Sequence, residues 1–311
     1  MEVIEGVALS ELCDYSFGDQ SGQWSQIYTH FMKDANLLNT EFVSKLFDVK
    51  KERNYMTLFI DNIRLYKRDI KDVKPADKKI VDSLMEKSDL LKLCESFPDM
   101  KFIIFTNLED TPIDEHIYKA IPNNVLCISA VNAKNHGGKV IPAPYGVQRR
   151  MNPDDDRIEQ LTEQMKDASS KPVSLLYVSH NESSNTEREG IKSLFYDKPW
   201  AGVSNLRDPY NMFLFNLSNA KFMICPKGNA IDCHRNWEVL YMRRVPIMTK
   251  DPYLEDLFEK YPVLFVDKYS DVTEELLLAN DHLFQQAQTM DLSHLTLPKF
   301  FDNIVDRYVI R

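Results

Sequence analysis

Nowhere in the 311 residues is there an apolar run long enough for a signal peptide or a membrane helix. The amino-terminal stretch MEVIEGVALSELCDYS is acidic, and no membrane insertion is expected. Positive charge is also in deficit: 38 Lys and Arg face 47 Asp and Glu, a formal net charge of −9. That balance argues against a nucleic-acid partner, because a phosphate backbone demands a broad basic footprint. A local anion pocket is still compatible with it. Cysteine is scarce and odd in number. Cys13, Cys94, Cys127, Cys225 and Cys233 are scattered and lack zinc-ligand spacing, so they read as reduced thiols and the expected location is the cytoplasm. Internal repeats and low-complexity tracts are missing too. What the chain has is 43% hydrophobic and 27% charged residues. Both lie close to globular averages and suit one large or two medium domains.

Apolar runs alternate with helical periodicity. Strands are expected at 55–60, 101–106, 125–128, 173–178, 201–203, 221–225, 245–248 and 262–266. Between them, helices are expected at 24–34, 77–95, 185–196, 209–219, 252–260, 272–289 and 298–309. Such alternation implies parallel sheets covered by helices. A change of character at PAPYG, residues 142–146, marks a hinge. The expected organisation is a domain over 1–145, a second over 146–296, and a terminal helix over 297–311 that packs back on the first. Ligands of open α/β sheets bind at the carboxyl ends of strands.

One such end carries an unusual density of polar groups. CPKGNAIDCHRNWEVLY, residues 225–241, follows a strand with a turn at Gly228 and Asn229. Asp232 is placed to cap the helix that follows. Arg235 and Glu238 then share a helix face, with His234 beside Glu238. A helix start attracts anions, a guanidinium adds a planar fork of donors, and a carboxylate one turn further suits the two hydroxyls of a ribose. Together they describe a nucleoside diphosphate site. The same spacing also permits an ordinary surface ion pair between Arg235 and Glu238.

These residues, continued by the Val245–Met248 strand, resemble the C-terminal signature of exostosin-like glycosyltransferases. That signature runs Cys-Pro-x-Gly, then Asp or Ser, then Arg and Glu, then a Pro-Ile or Pro-Val strand. The likeness is strongest over 172–268 and architectural over 1–145. It implies the GT-B architecture, two Rossmann-like domains, with the donor bound mainly by the C-terminal one. It also implies that Arg235 binds the donor diphosphate and Glu238 the ribose hydroxyls. NTER, 185–188, resembles a second family element and maps a phosphate-binding role onto Arg188, with Ser179 and Asn181 lining the loop. His180 and His234 are expected to steady the leaving diphosphate. Many relatives have Gly-Cys where this chain has Arg243 and Arg244, which read as solvated charges at a helix end. The membrane anchor and second catalytic domain of animal exostosins are not seen, so transfer of a single sugar is expected. Small soluble members occur in bacteria and large algal DNA viruses, which implies the cytoplasm of the cell or of the host.

The expected activity is therefore transfer of one sugar from a nucleotide-sugar donor, a UDP-sugar by preference, to a hydroxyl of a glycan acceptor. The co-substrate replaces any cofactor. Inverting transfer needs a general base. The glycine-punctuated loop CDYSFGDQSGQW, 13–24, offers Asp19 first and Asp14 second, and His180 is a third catalytic candidate. His136 is a further loop histidine. Trp24, Tyr145 and Trp200 are candidates for stacking. No Asp-x-Asp element ends a strand, and the acidic run 154–156 reads as charge at a helix start, so no catalytic metal is expected. Two alternatives stay open: a nucleotide-sugar epimerase of the same fold, and a non-catalytic nucleotide-sugar-binding domain.

Overall fold

The computed structural model describes residues 2–4, 6–17, 40–60, 89–107, 110, 112–113, 115–134, 136–148, 156–166, 172–204 and 208–309. The expected helix at 24–34 and most of the one at 77–95 lie outside them. The chain divides into two compact units. One joins Ile4–Ala143 to Leu297–Arg311, and the other joins Pro144–Thr296 to Met1–Val3. Each holds a parallel sheet of five strands, so the class is α/β.

In the first unit the strands β1 (Tyr15–Ser16), β2 (Tyr55–Ile60), β3 (Lys101–Thr106), β4 (Val125–Ala130) and β5 (Val140–Pro142) lie side by side in chain order. Helices α1 (Gly6–Leu12), α2 (Thr40–Glu52), α3 (Asp89–Glu95) and α4 (Glu115–Ala120) alternate with them. β2 and β3 are buried from their second residue onward, as expected for parallel strands covered on both faces. The carboxy-terminal helix, Leu297–Val309, belongs to this unit and packs against α1. Leu297, Phe301, Ile304 and Tyr308 recur at helical spacing and pack on Phe59, Ile103, Phe105 and Cys127. Phe301 stacks on Phe105 at 5.0 Å between ring centroids, and Phe300 meets it edge-on at 6.4 Å. Burying each side chain of that size contributes about 1.5–3 kcal/mol.

The second unit contains β6 (Ser174–Val178), β7 (Ala201–Val203), β8 (Ala220–Ile224), β9 (Val245–Thr249) and β10 (Leu264–Val266). Its helices are α5 (Arg157–Lys166), α6 (Tyr210–Ser218), α7 (His234–Tyr241), α8 (Pro252–Leu257), α9 (Glu274–Ala279) and α10 (Asp281–Thr289). Alternate residues of four strands, among them Leu176, Val178, Phe222, Ile224, Val245 and Ile247, pack with Leu277, Phe284 and Ala287 of α9 and α10. The strand order is β10-β9-β8-β6-β7. The chain moves from β6 to β7 on one side, then returns to place β8 on the other. The order therefore reverses between β6 and β8, and a parallel sheet opens a crevice at the carboxyl ends of such a pair.

Several local expectations change. The helix expected over 185–196 is instead a set of short 3-10 turns at Glu182–Ser184, Thr186–Arg188 and Lys192–Leu194. Asn181 and Asn185 each accept a backbone N–H two residues on, which holds the chain in tight turns and stops a regular helix. The helix expected over 272–289 breaks at Asn280, which ends α9 and begins α10. Of the two arginines expected to be solvated at a helix end, Arg244 is not, and Arg243 is partly buried. Arg243, at φ +54, donates to the carbonyls of Gln288 and Met290 at the end of α10. Arg244 is fully buried and donates to the carbonyls of Met242, Arg243 and Ser218. Among the described residues no helix is long and apolar enough to cross a membrane.

Candidate functional site

The carboxyl ends of β6 and β8 bring together most of the residues expected to bind a donor. β6 leads into Ser179, His180 and Asn181. β8 leads into the 225–233 loop and then α7. The two loops are tied by Arg188, which is 5% exposed. Its Nε donates to Lys227 O at 2.6 Å and its Nη2 to Pro226 O at 3.0 Å. Its Nη1 reaches Asn181 O at 3.2 Å and Ser184 Oγ at 3.3 Å. Asn185 adds a bond from Nδ2 to Gly228 O at 2.7 Å. A methyl group on Gly228 would lie 3.1 Å from Arg188 Nη2, so a larger residue there would press on the guanidinium. Most of the donors of Arg188 are thus spent inside the chain. Its geometry is that of a brace between loops.

Asp232 is likewise an internal fastener. The helix begins at His234 with Cys233 as its N-cap, and the Cys233 side chain makes no capping bond. Asp232 therefore sits one residue outside the cap position expected of it. Its carboxylate, fully buried, accepts from Tyr145 N at 2.9 Å and Trp237 Nε1 at 2.7 Å on one oxygen. The other oxygen accepts from Cys233 N at 2.8 Å and Asn236 Nδ2 at 2.9 Å. Burial pushes its pKa up to about 6 against those four donors, which pull it down. His234 strengthens the same join. Its Nδ1–H donates to Gly146 O at 2.7 Å, and its ring lies 4.4 Å from that of Tyr145. Gly146 has φ +71, a conformation glycine adopts without strain. Lys227 pairs with Asp251 at 2.6 Å, and Asp251 also caps α8 by accepting from Tyr253 N.

Arg235 differs from all of these. It lies on the first turn of α7 and is half-buried. Among the described residues it has no ion pair and no hydrogen bond, and its Nε is buried without an acceptor. The start of α7 has no side-chain cap beside it, so first-turn N–H groups add to the same positive end. Glu238, one turn further, is 5% exposed and so is no part of a surface ion pair. His180 is also 5% exposed. Its Nε2–H points to Arg188 O at 3.4 Å, and its Nδ1 is buried without a donor. Burial first, and then the charge of Arg235, pull its pKa down to about 3, with smaller contributions from Arg188 and Lys192. His234 is held at about 4, chiefly by burial. Both rings are therefore neutral at pH 7. Each has its N–H engaged with a carbonyl, so the remaining nitrogen accepts and does not donate. A neutral ring in this state offers a diphosphate no positive charge.

Among the remaining candidates, Gly228 is buried, Ser179 is buried near the Tyr177 hydroxyl, and Asn229 and Asn181 are exposed on the two loops. Asn181 Oδ1 accepts from Ser183 N and Oγ, a capping role. Asp19 and Trp24 lie outside the described residues. Asp14 belongs to the other unit, and its carboxylate is committed to Arg53 and to Thr57, whose N and Oγ1 donate at 2.8 and 2.9 Å. An acid so engaged has little left with which to take a proton. Trp200 packs into the core of the second unit beside Phe195, away from a stacking role. His136 donates toward Ala133 O from Nδ1 at 3.2 Å. Asp156 accepts from Glu159 N at the start of α5, as an acid at a helix start does. Among the described residues no three His, Cys, Asp or Glu side chains gather closely enough to hold a metal. Sequence reasoning passed over Asn185, Asp251 and Tyr269, whose hydroxyl donates to Cys225 O at 3.1 Å. The Asp251-Pro252 pair is a recognisable helix start, whereas Tyr269 carries no local signal. No family model matches the sequence, and no curated protein matches it.

Proposed function

We propose that this protein is a GT-B glycosyltransferase that binds a nucleotide sugar at the β6/β8 reversal and transfers one sugar to a carbohydrate hydroxyl. The supporting observation is Arg235. A guanidinium without an acid or carbonyl of its own among the described residues, beside an uncapped helix start at the reversal point of a parallel sheet, has the donors and the charge that a diphosphate requires. The positive field that helps hold His180 neutral has Arg235 as its largest charged source. Glu238, buried one turn along the same helix, has the chemistry to accept from ribose hydroxyls. The resemblance to exostosin-like enzymes makes the ligand a sugar donor. Two parallel sheets, one per unit, are what the GT-B architecture requires.

In the reaction the bond from the anomeric carbon to the phosphate oxygen breaks, and the acceptor oxygen forms a new bond to that carbon. The nucleoside diphosphate leaves with an added negative charge, which Arg235 and the first-turn N–H groups of α7 stabilise. The acceptor proton passes to a base, for which Asp19 is the candidate. The non-catalytic reading gains weight from Asp14, whose carboxylate is committed to Arg53 and Thr57.

The test is thermal and calorimetric titration with UDP, GDP and their sugars, followed by product analysis with glycan acceptors. A nucleoside diphosphate should raise the melting temperature of the wild type. Arg235→Ala should weaken that binding by about 10- to 150-fold, the value of a charge-assisted bond of about 1.5–3 kcal/mol. Binding without turnover would favour the non-catalytic reading. Absence of stabilisation by every nucleotide at saturation would end both.

A further inference from the structure

We infer that His180 accepts a hydrogen bond from an alcohol hydroxyl of the bound ligand, so that this side chain reads a sugar ring and not a phosphate. The inference deepens the function proposed above and rests on it.

The argument starts from the proton. A carbonyl oxygen only accepts, so the ring nitrogen facing Arg188 O, Nε2 at 3.4 Å, carries the hydrogen. In the neutral ring Nδ1 is then a bare lone pair. The residue is 5% exposed, and Nδ1 is buried with no donor among the described residues. Buried polar atoms are satisfied in the great majority of proteins, and one that is not calls for an explanation. The nearby candidate donors do not supply it. Arg188 directs its bonds to Lys227 O, Pro226 O, Asn181 O and Ser184 Oγ. Lys192, whose charge also reaches the ring, makes no bond to Nδ1 among the described residues.

The second orphan in this neighbourhood has the opposite polarity. Arg235 Nε–H is buried and lacks an acceptor. An ionised phosphate satisfies Arg235, because it is all acceptor. It cannot satisfy His180, because it has no hydrogen to give. A hydroxyl does both kinds of work, accepting through oxygen and donating through hydrogen. The ligand that quiets both groups therefore carries hydroxyls close to its phosphate. In a nucleotide sugar two rings meet that description: the ribose and the sugar to be transferred.

The experiment is isothermal titration of wild type, His180→Asn and His180→Leu with four probes: pyrophosphate, UDP, 2′-deoxy-UDP and UDP-glucose. Asparagine returns an acceptor oxygen near the place of Nδ1, and leucine does not. Leucine should weaken UDP-glucose about tenfold, the value of one buried hydrogen bond, and asparagine should restore most of it. Pyrophosphate should be indifferent to both changes. A loss shared by UDP but not by 2′-deoxy-UDP assigns the ribose 2′-hydroxyl. A loss confined to UDP-glucose assigns the transferred sugar. An equal loss for pyrophosphate, or no loss for any probe, overturns the inference while leaving the nucleotide site in place. Failure of wild type to bind any of the nucleotides removes the parent reading and this one together. Nitrogen-15 spectra of the unmodified protein provide a check independent of the variants. Nδ1 should appear as the unprotonated nitrogen in the free protein and shift upfield with UDP-glucose but not with pyrophosphate. A protonated Nδ1 in the free protein overturns the inference directly.

Discussion

Asp232 gives the sharpest test of how the second unit is held together. Asp232→Ala leaves four buried donors without an acceptor: Tyr145 N, Cys233 N, Asn236 Nδ2 and Trp237 Nε1. A stranded donor costs about 1–3 kcal/mol, so four cost about 8 kcal/mol at the middle of that range. Part returns, because the wild type buries a charge. The carboxyl stands at about 6 when folded against an ordinary 3.8, and two units correspond to about 3 kcal/mol. The net loss at pH 7 is about 5 kcal/mol. Asp232→Asn keeps the shape and one oxygen, strands two donors and escapes the charge. Its net cost is about 1 kcal/mol at pH 7. The two variants also differ in pH response. A folded pKa above the unfolded one stabilises fully below 3.8, and that stability is lost as pH rises through about 6. Asparagine lacks this term, so its deficit relative to wild type should grow by up to about 3 kcal/mol between pH 7 and pH 4. Urea unfolding followed by tryptophan fluorescence measures all three proteins. Trp200 and Trp237 lie in this unit. An alanine variant within about 1 kcal/mol of wild type, or an asparagine variant as damaged as alanine, would refute the reasoning.

Two other outcomes can be checked with the same assay. Arg244→Ala removes a fully buried side chain and three donated bonds, and should cost about 3–5 kcal/mol. Arg244→Met fills most of the volume without a buried charge and should cost clearly less; equal losses would show that packing contributes nothing there. The two histidines supply a pH test. Their folded values of about 3 and about 4 lie below the ordinary 6.5, so the unfolded chain takes up their protons first as pH falls. Stability should therefore decline below pH 6.5, by about 1.4 kcal/mol per pH unit for each ring, partly offset by Asp232 below pH 6. Replacing both rings by asparagine should flatten the decline. An unchanged slope would show that the rings are charged or exposed.

Sheet strands were the most legible feature of the sequence, and the reason is local. Tyr55–Ile60 and Lys101–Thr106 are short, continuous apolar runs, and strands covered on both faces need little else to be recognised. The helix Leu297–Val309 was equally plain from its stripe of apolar residues. Competing short-range bonds misled the periodicity elsewhere. Asn181 and Asn185 turn the backbone toward their own side chains and replace the helix expected at 185–196 with tight turns. Strand order was not legible at all. Nothing in the spacing of 174–178 and 220–224 says that these strands become neighbours across a reversal. The roles of the charged residues depended on the same hidden contacts. Asp232 meets a backbone group 87 residues earlier, and Arg188 meets carbonyls 38 and 39 residues later. Their chemistry was visible in sequence, and their commitments were not.

Those commitments bear on which polar groups of the second unit stay unmet. An Arg or Asp with spare bonding capacity tends to find a partner within its own chain, because a buried unmet group is costly. Here Arg188 holds the two loops through carbonyls, Asp232 holds the 145–146 crossing to α7, and Asp251 holds Lys227. With those groups occupied, a buried Nε–H of Arg235 and a buried Nδ1 of His180 remain unmet among the described residues. The unfavourable energy of the two groups is carried by the rest of the unit, and under the proposed function a ligand that presents an acceptor and a hydroxyl recovers it. On the proposed function, the fastened loops and the two unmet groups are two consequences of one arrangement.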